Sequence, residues 1–231
     1  MIHTLICSRK DKVPPTLDKL KKYLLLNNFL SYHISLDAPS MFEGYQTAFD
    51  TLHPIADDDI IVMCHDDIEI ITDGNEYQSI LKESLNDPKI GFVGVAGTTY
   101  LDKDAVWWEM ERRQKGLHSG FVFQGVCMRD SYPNWFGPWR NVVALDGCFI
   151  ATKARTIRKI GFQKPKQFPG NWDFYDLHYT TTAYEMGYVN KTVPIIILHN
   201  SSGELVGRDS WHENRKEFIK MHRLPVWCKN E

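Results

Sequence analysis

The chain has 231 residues, 43% of them hydrophobic and 24% charged. That composition excludes a disordered, collagen-like or fibrous protein and leaves room for one large α/β domain or two small ones. Lysine and arginine number 27 against 29 aspartate and glutamate, a formal net charge of -2, so no field of one sign marks a nucleic-acid or anionic-membrane partner.

Residues 2–7 read as a first strand, residues 16–29 as a helix with Leu17, Leu20, Leu24 and Leu25 on one face, and residues 31–36 as a second strand. Residues 40–52 repeat the helical pattern, and 60–64 form a third strand bounded by acidic residues on both sides. A helix over 76–85 and a strand over 89–96 follow. The strands are continuous apolar runs, as expected of parallel strands buried on both faces. From 97 to 141 the periodicity is lost among tryptophans, glycines and prolines, which predicts an irregular excursion centred on 101–141. Strand character returns over 142–152, with helices over 153–160 and 175–186, a strand over 193–198 and a closing helix over 211–221. With no repeat, low-complexity tract or clean linker, one domain over 1–231 is the stronger reading.

The longest apolar runs, 60–64 and 193–198, fall far short of the roughly 20 residues that span a bilayer. Residues 1–10 place their basic side chains after a very short apolar run, the reverse of a secretory signal, so a cytoplasmic location is expected. The five cysteines are scattered without any CxxC spacing, a pattern of reduced thiols rather than of a disulfide framework or a zinc-thiolate site.

His65-Asp66-Asp67 stands where the third strand reaches its carboxyl end, the place where open α/β sheets bind ligands. Paired carboxylates there suit Mg²⁺ or Mn²⁺, which take oxygen ligands and leave positions for a substrate phosphate. Taken alone, such a turn is equally well read as solvated or as a helix cap.

Several separated segments resemble one family. The His65-Asp66-Asp67 turn is similar to the metal-binding DXD-type motif of GT-A fold glycosyltransferases. Gly94-Val95-Ala96-Gly97-Thr98, Val106-Trp107-Trp108, Leu145-Asp146-Gly147-Cys148-Phe149-Ile150-Ala151-Thr152, Trp172-Asp173-Phe174-Tyr175-Asp176 and His199-Asn200-Ser201-Ser202-Gly203 resemble segments of its family-2-like branch. The resemblance implies a single α/β domain with a twisted, mainly parallel central sheet flanked by helices, with 1–96 as the nucleotide-binding half and 97–231 as the acceptor-side half.

It also implies roles. Asp67 would ligate the metal, with His199 completing the site, and the metal would be Mn²⁺ or Mg²⁺. Ser8, Arg9, Asp37, His65, Asp66, Asp146 and Gly147 would meet the nucleotide and donor sugar, His65 standing where the first Asp of the motif often stands. Asp176 would be the catalytic base, with Asp173 its competitor; Asp173 stands where many relatives carry His, and His178 where a second acid is common. Trp172 and Trp108 would offer aromatic faces to an acceptor sugar. The activity implied is transfer of a sugar from a nucleoside diphosphate, UDP above all, to a hydroxyl of a saccharide or glycoconjugate, with inversion. Two rivals stand beside it: a sugar nucleotidyltransferase, disfavoured because Cys7-Ser8-Arg9-Lys10 lacks the glycines of a phosphate loop, and a carbohydrate-binding module with a decayed site.

Overall fold

The computed structural model describes residues 1–8, 13–52, 54–201 and 209–228. The chain opens with β1 (Ile2–Ser8), α1 (Pro15–Leu26), β2 (Tyr32–Leu36), α2 (Met41–Thr51), β3 (Ile60–His65), β4 (Ile68–Ile70) and α3 (Gly74–Ser84). Then come β5 (Ile90–Gly94), β6 (Ala96–Thr98), β7 (Tyr100–Leu101), α4 (Met110–Gln114), β8 (His118–Gln124), β9 (Tyr132–Gly137), β10 (Asn141–Val142), β11 (Ala144–Leu145) and β12 (Phe149–Lys153). It closes with α5 (Ala154–Ile160), α6 (Tyr175–Glu185), β13 (Val189–Thr192), β14 (Ile197–His199), α7 (Asp209–Met221) and β15 (Val226–Trp227).

Local chemistry sets the helix starts. Proline at the first position of α1 lacks only an N–H that would go unpaired there. Ser40 caps α2 by accepting the Glu43 N–H at 3.1 Å, and its hydroxyl donates to the Glu43 carboxylate at 3.3 Å. Asp73 caps α3 through the Asn75 N–H at 2.9 Å.

The main sheet has the order β10-β13-β5-β12-β3-β1-β2. β2, β1, β3, β5 and β13 run one way, and β12 and β10 run against them. The expected mainly parallel sheet is therefore present, with a reversed strand wedged into its centre. Every residue of β1 is buried, as for a strand covered on both faces. Register decides which layer each side chain joins. Ile6, Cys64 and Phe149 form one row, and Phe149 meets Tyr77 of α3, which packs edge-on against Tyr23 of α1 at 5.9 Å. The neighbouring row, Cys7 and His65, faces the opposite layer, where Phe42 of α2 packs on Tyr179 of α6 at 5.4 Å. The helices thus cover both faces. Among the described residues no helix is long and apolar enough to cross a membrane.

Beside this sheet lies a second one, β11-β6-β8-β14-β4, with β9 paired to β8. It corrects the sequence reading at several points. The excursion over 101–141 is not irregular throughout: it carries α4 and the β8–β9 hairpin, which side-chain periodicity hides because a bulge near Gly120 breaks the alternation. Gly120 has φ +105°, and a Cβ there would stand 2.0 Å from the Val95 carbonyl oxygen. The run 89–96 is divided at Val95 between the two sheets, the run 142–152 becomes three strands, and only the end of 193–198 pairs, as β14.

Short links carry the main chain between the sheets, among them 66–67 after β3, Val95 after β5, 146–148 after β11, and 193–196 after β13. Backbone bonds tie these links together, with His65 N donating to Cys148 O at 3.1 Å, Asp146 N to Ala96 O at 2.9 Å and Val193 N to Gly94 O at 2.9 Å. The acidic residues singled out by sequence at 66–67 and at 146 stand on this seam.

Candidate active site

β3 is a buried central strand, so it delivers His65 to a fixed point, and the chain reverses through Asp66 and Asp67 into β4. β14 runs antiparallel to β4 with His199 opposite Ile68, and Asn200 N donates to Asp67 O at 2.8 Å. Three side chains 134 positions apart in sequence converge as a result. Asp67 Oδ1 is 3.3 Å from His199 Nε2 and 3.7 Å from His65 Nδ1. The two imidazole nitrogens are 3.5 Å apart, and one potential ligand atom from each residue lies within 4.8 Å of the others.

The charge balance of this cluster is set from within. Burial works against the Asp67 carboxylate, yet the contact with His199 and the imidazole charges hold it below the usual carboxylate range. Burial also opposes a charged His199, and Asp67 overcomes it, so His199 is raised. His65 is lowered, by burial first and by the charge of His199, against the pull of Asp67. Asp67 Oδ1 itself is buried and receives no aligned hydrogen bond. A buried carboxylate oxygen left so, facing two imidazole nitrogens, fits a divalent cation. His65 thus stands beside Asp67 and His199 in a group whose atoms could hold a metal ion.

Asp66 turns the other way. Ser8 Oγ donates to its Oδ2 at 2.5 Å, and Thr16 in the first turn of α1 donates to its carbonyl at 3.1 Å. Asp37 N donates to Ser8 O at 2.9 Å, and Asp37 is exposed with φ +58° at the end of β2. Ser8, Asp37 and Asp66 thus gather at the carboxyl ends of β1, β2 and β3. Arg9, and Ser202 and Gly203 of the last resembling segment, lie outside the described residues.

Across the seam, Asp146 accepts from Cys148 N at 2.9 Å, and Gly147 N donates to Asp176 Oδ2 at 2.8 Å. A Cβ on Gly147 would stand 2.2 Å from the Tyr175 hydroxyl and 2.8 Å from Asp176 Cβ, so only glycine allows α6 to close on this turn. Asp176 sits in the first turn of α6, which follows Phe174 held at φ +67°. A bulky residue in that region is a strained one, and such strain collects at functional sites. The Asp176 carboxyl is pushed up to about 7, chiefly by burial and then by Asp146, against the N–H groups of Leu177 and Gly147. That places it where a general base operates at neutral pH.

Asp173 bonds to α7. It is buried, Ser210 Oγ donates to its Oδ2 at 3.1 Å, and Asn214 Nδ2 donates to its carbonyl at 3.0 Å. These bonds fasten the segment before α6 to α7. Trp172 is half-buried against the core. Trp108 meets Trp211 at 5.7 Å, and Trp211 meets Phe174 at 5.4 Å, a chain of rings leading to the start of α6. Trp107 is buried, while Trp135 and Trp139 meet edge-on at 5.5 Å on the surface. Sequence reasoning missed Tyr175, whose hydroxyl lies 2.7 Å from His65 Nε2 and donates to Gly147 O at 2.9 Å. Its partner is 110 residues away, and no local signal announces it.

A family described as glycosyltransferase-like matches residues 32–222 of the chain. The chain belongs to the glycosyltransferase-like family. This glycosyltransferase is similar to two solved structures. The protein A197 from STIV is 16% identical with a TM-score of 0.45, over 86% of this chain and 82% of that one. A glycosyltransferase involved in the glycosylation of the major capsid of PBCV-1 is 11% identical with a TM-score of 0.33, over 95% of this chain and 99% of that one. No curated protein sequence matches the glycosyltransferase.

Proposed function

We propose that this glycosyltransferase moves a sugar from a UDP-linked donor to a hydroxyl of a saccharide or glycoconjugate, with inversion, and that a divalent cation assists. The observation that carries the reading is one seam holding both parts the chemistry needs: the His65–Asp67–His199 cluster and the Asp146–Asp176 pair. Tyr175 and Gly147 link the two: the Tyr175 hydroxyl lies 2.7 Å from His65 Nε2 and donates to Gly147 O, and Gly147 N donates to Asp176 Oδ2 at 2.8 Å.

His65 Nδ1, Asp67 Oδ1 and His199 Nε2 would hold the cation, and two imidazoles beside one carboxylate favour Mn²⁺ over the more strictly oxygen-seeking Mg²⁺. A cation there supplies positive charge against the diphosphate leaving group. Ser8, Asp37 and Asp66 offer acceptors to the nucleoside at the ends of β1 to β3. Asp176 takes the acceptor hydroxyl proton as that oxygen bonds to the anomeric carbon. The bond from that carbon to the diphosphate breaks on the opposite face, and its electron pair leaves with the diphosphate. One ionised carboxylate suffices, and no covalent sugar–enzyme bond forms. Asp146 holds Asp176 basic and accepts from donor-sugar hydroxyls.

The test is release of UDP from a panel of UDP-sugars with Mn²⁺, with and without saccharide acceptors, and the anomeric configuration of any product. Turnover that falls about 10²–10⁴-fold in Asp176→Asn and is lost in Asp67→Ala, with both variants folded, is the expected result. Retained configuration, or Asp176→Asn with full turnover, would overturn the assignment of the base. No turnover with any donor, together with saccharide binding, would favour the binding module.

A further inference from the structure

We infer that Tyr175 is the positioning residue that selects which nitrogen of His65 is open to a cation; this rests on the metal reading of the His65–Asp67–His199 cluster given above. The argument is one of hydrogen counting. The Gly147 carbonyl can only accept, so the 2.9 Å bond from the Tyr175 hydroxyl uses that hydroxyl's single hydrogen. A phenol keeps that hydrogen at neutral pH. The 2.7 Å contact between the Tyr175 hydroxyl and His65 Nε2 must then run from nitrogen to oxygen. Nε2 carries the proton, and the neutral ring presents a lone pair at Nδ1. That is the nitrogen facing Asp67 Oδ1 at 3.7 Å and His199 Nε2 at 3.5 Å.

Without the hydroxyl, the buried Nε2–H would lose its acceptor, and the alternative tautomer, with Nδ1–H turned toward the Asp67 carboxylate, becomes the better-satisfied one. That tautomer cannot ligate through Nδ1. Such partners of a ligating histidine commonly set its tautomer and basicity. The same residue, Gly147, gives its N–H to Asp176 at 2.8 Å. One turn of chain therefore orients the cation-binding ring through its carbonyl and the base through its amide. The ring of Tyr175 packs on Tyr45 at 5.7 Å and on Phe42 at 6.4 Å, contacts that phenylalanine keeps.

The experiment is ¹⁵N-detected NMR of the histidine rings in the metal-free full chain, wild type and Tyr175→Phe, with Mn²⁺ affinity measured by calorimetry on both. The expected result is the Nε2–H tautomer at His65 in the wild type, a shift toward Nδ1–H in the variant, and Mn²⁺ binding weakened about 10–100-fold. An Nδ1–H wild-type His65, an unchanged tautomer in Tyr175→Phe, or equal Mn²⁺ affinity in the two proteins would overturn the assignment. A purely structural tyrosine would lower the melting temperature and leave the tautomer alone. Wild type that binds Mn²⁺ no better than Asp67→Ala would instead overturn the metal reading, and the tautomer measured without metal still decides the role of Tyr175.

Discussion

Asp176→Asn should cut turnover about 10²–10⁴-fold and stabilise the protein. Its carboxyl is held at about 7 in the folded chain, against about 3.9 in an unfolded one. A carboxyl raised in this way disfavours folding once it must ionise, and the full difference is about 4 kcal/mol. The sign is fixed by the direction of the shift. Below the unfolded value both states are protonated and the site costs nothing. As pH rises through 4 the unfolded chain loses its proton first, and the penalty grows until the folded group ionises near 7. Asparagine removes the charge but accepts the Gly147 and Leu177 N–H groups less strongly than a carboxylate does, so roughly half of the gain, about 2 kcal/mol, should survive above pH 7. At this chain length that raises the melting temperature by about 4–8 °C. Thermal unfolding of wild type and variant at pH 4 and pH 8 is the assay. A gain at pH 8 that shrinks to near zero or reverses at pH 4 is expected. Equal melting temperatures at pH 8, or a gain of the same size at both pH values, would refute the claim that Asp176 is a buried, repelled carboxylate.

The ascending limb of kcat/KM against pH should fall near pH 7, because activity needs ionised Asp176; Asp146→Asn removes the repelling charge and should move that limb to lower pH, whatever it does to the plateau. Gly147→Ala should destabilise by about 1–3 kcal/mol, since its Cβ would enter the space of the Tyr175 hydroxyl, and a melting temperature unchanged from wild type would show that α6 can yield there. Asp173→Asn should lower the melting temperature by loosening the segment before α6 from Ser210 and leave the position of the pH limb unmoved; a shifted limb would return Asp173 to the catalytic group.

The positions of several candidate residues were more legible in the sequence than the framework that holds them. Residues 60–65 form a continuous apolar strand ending in His-Asp-Asp, so the carboxyl-end location of Asp67 was legible from hydropathy and position alone. Asp176 was legible as an acid opening a helix. What sequence could not place was the side on which each group acts. His65 and Asp66 are neighbours, but at the turn that ends β3 one meets His199 and the other Ser8. Asp173 and Asp176 are three apart, and the left-handed Phe174 between them turns Asp173 toward α7. The second sheet was hidden for a related reason: its strands are short, they leave the first sheet at single residues such as Val95, and nothing in hydropathy marks a change of sheet within one apolar run.

The most direct test of the account is thermal unfolding of the glycosyltransferase against a panel of nucleoside diphosphates and sugar nucleotides, each with Mn²⁺, with Mg²⁺ and with chelator. A ligand at about 100 times its dissociation constant adds about 2.7 kcal/mol, which at this size raises the midpoint by roughly 5–11 °C. The account predicts such a rise with UDP or a UDP-sugar only when Mn²⁺ is present, and its loss in Asp67→Ala. A flat response across the panel at saturating ligand, or the same rise in chelator, would contradict it.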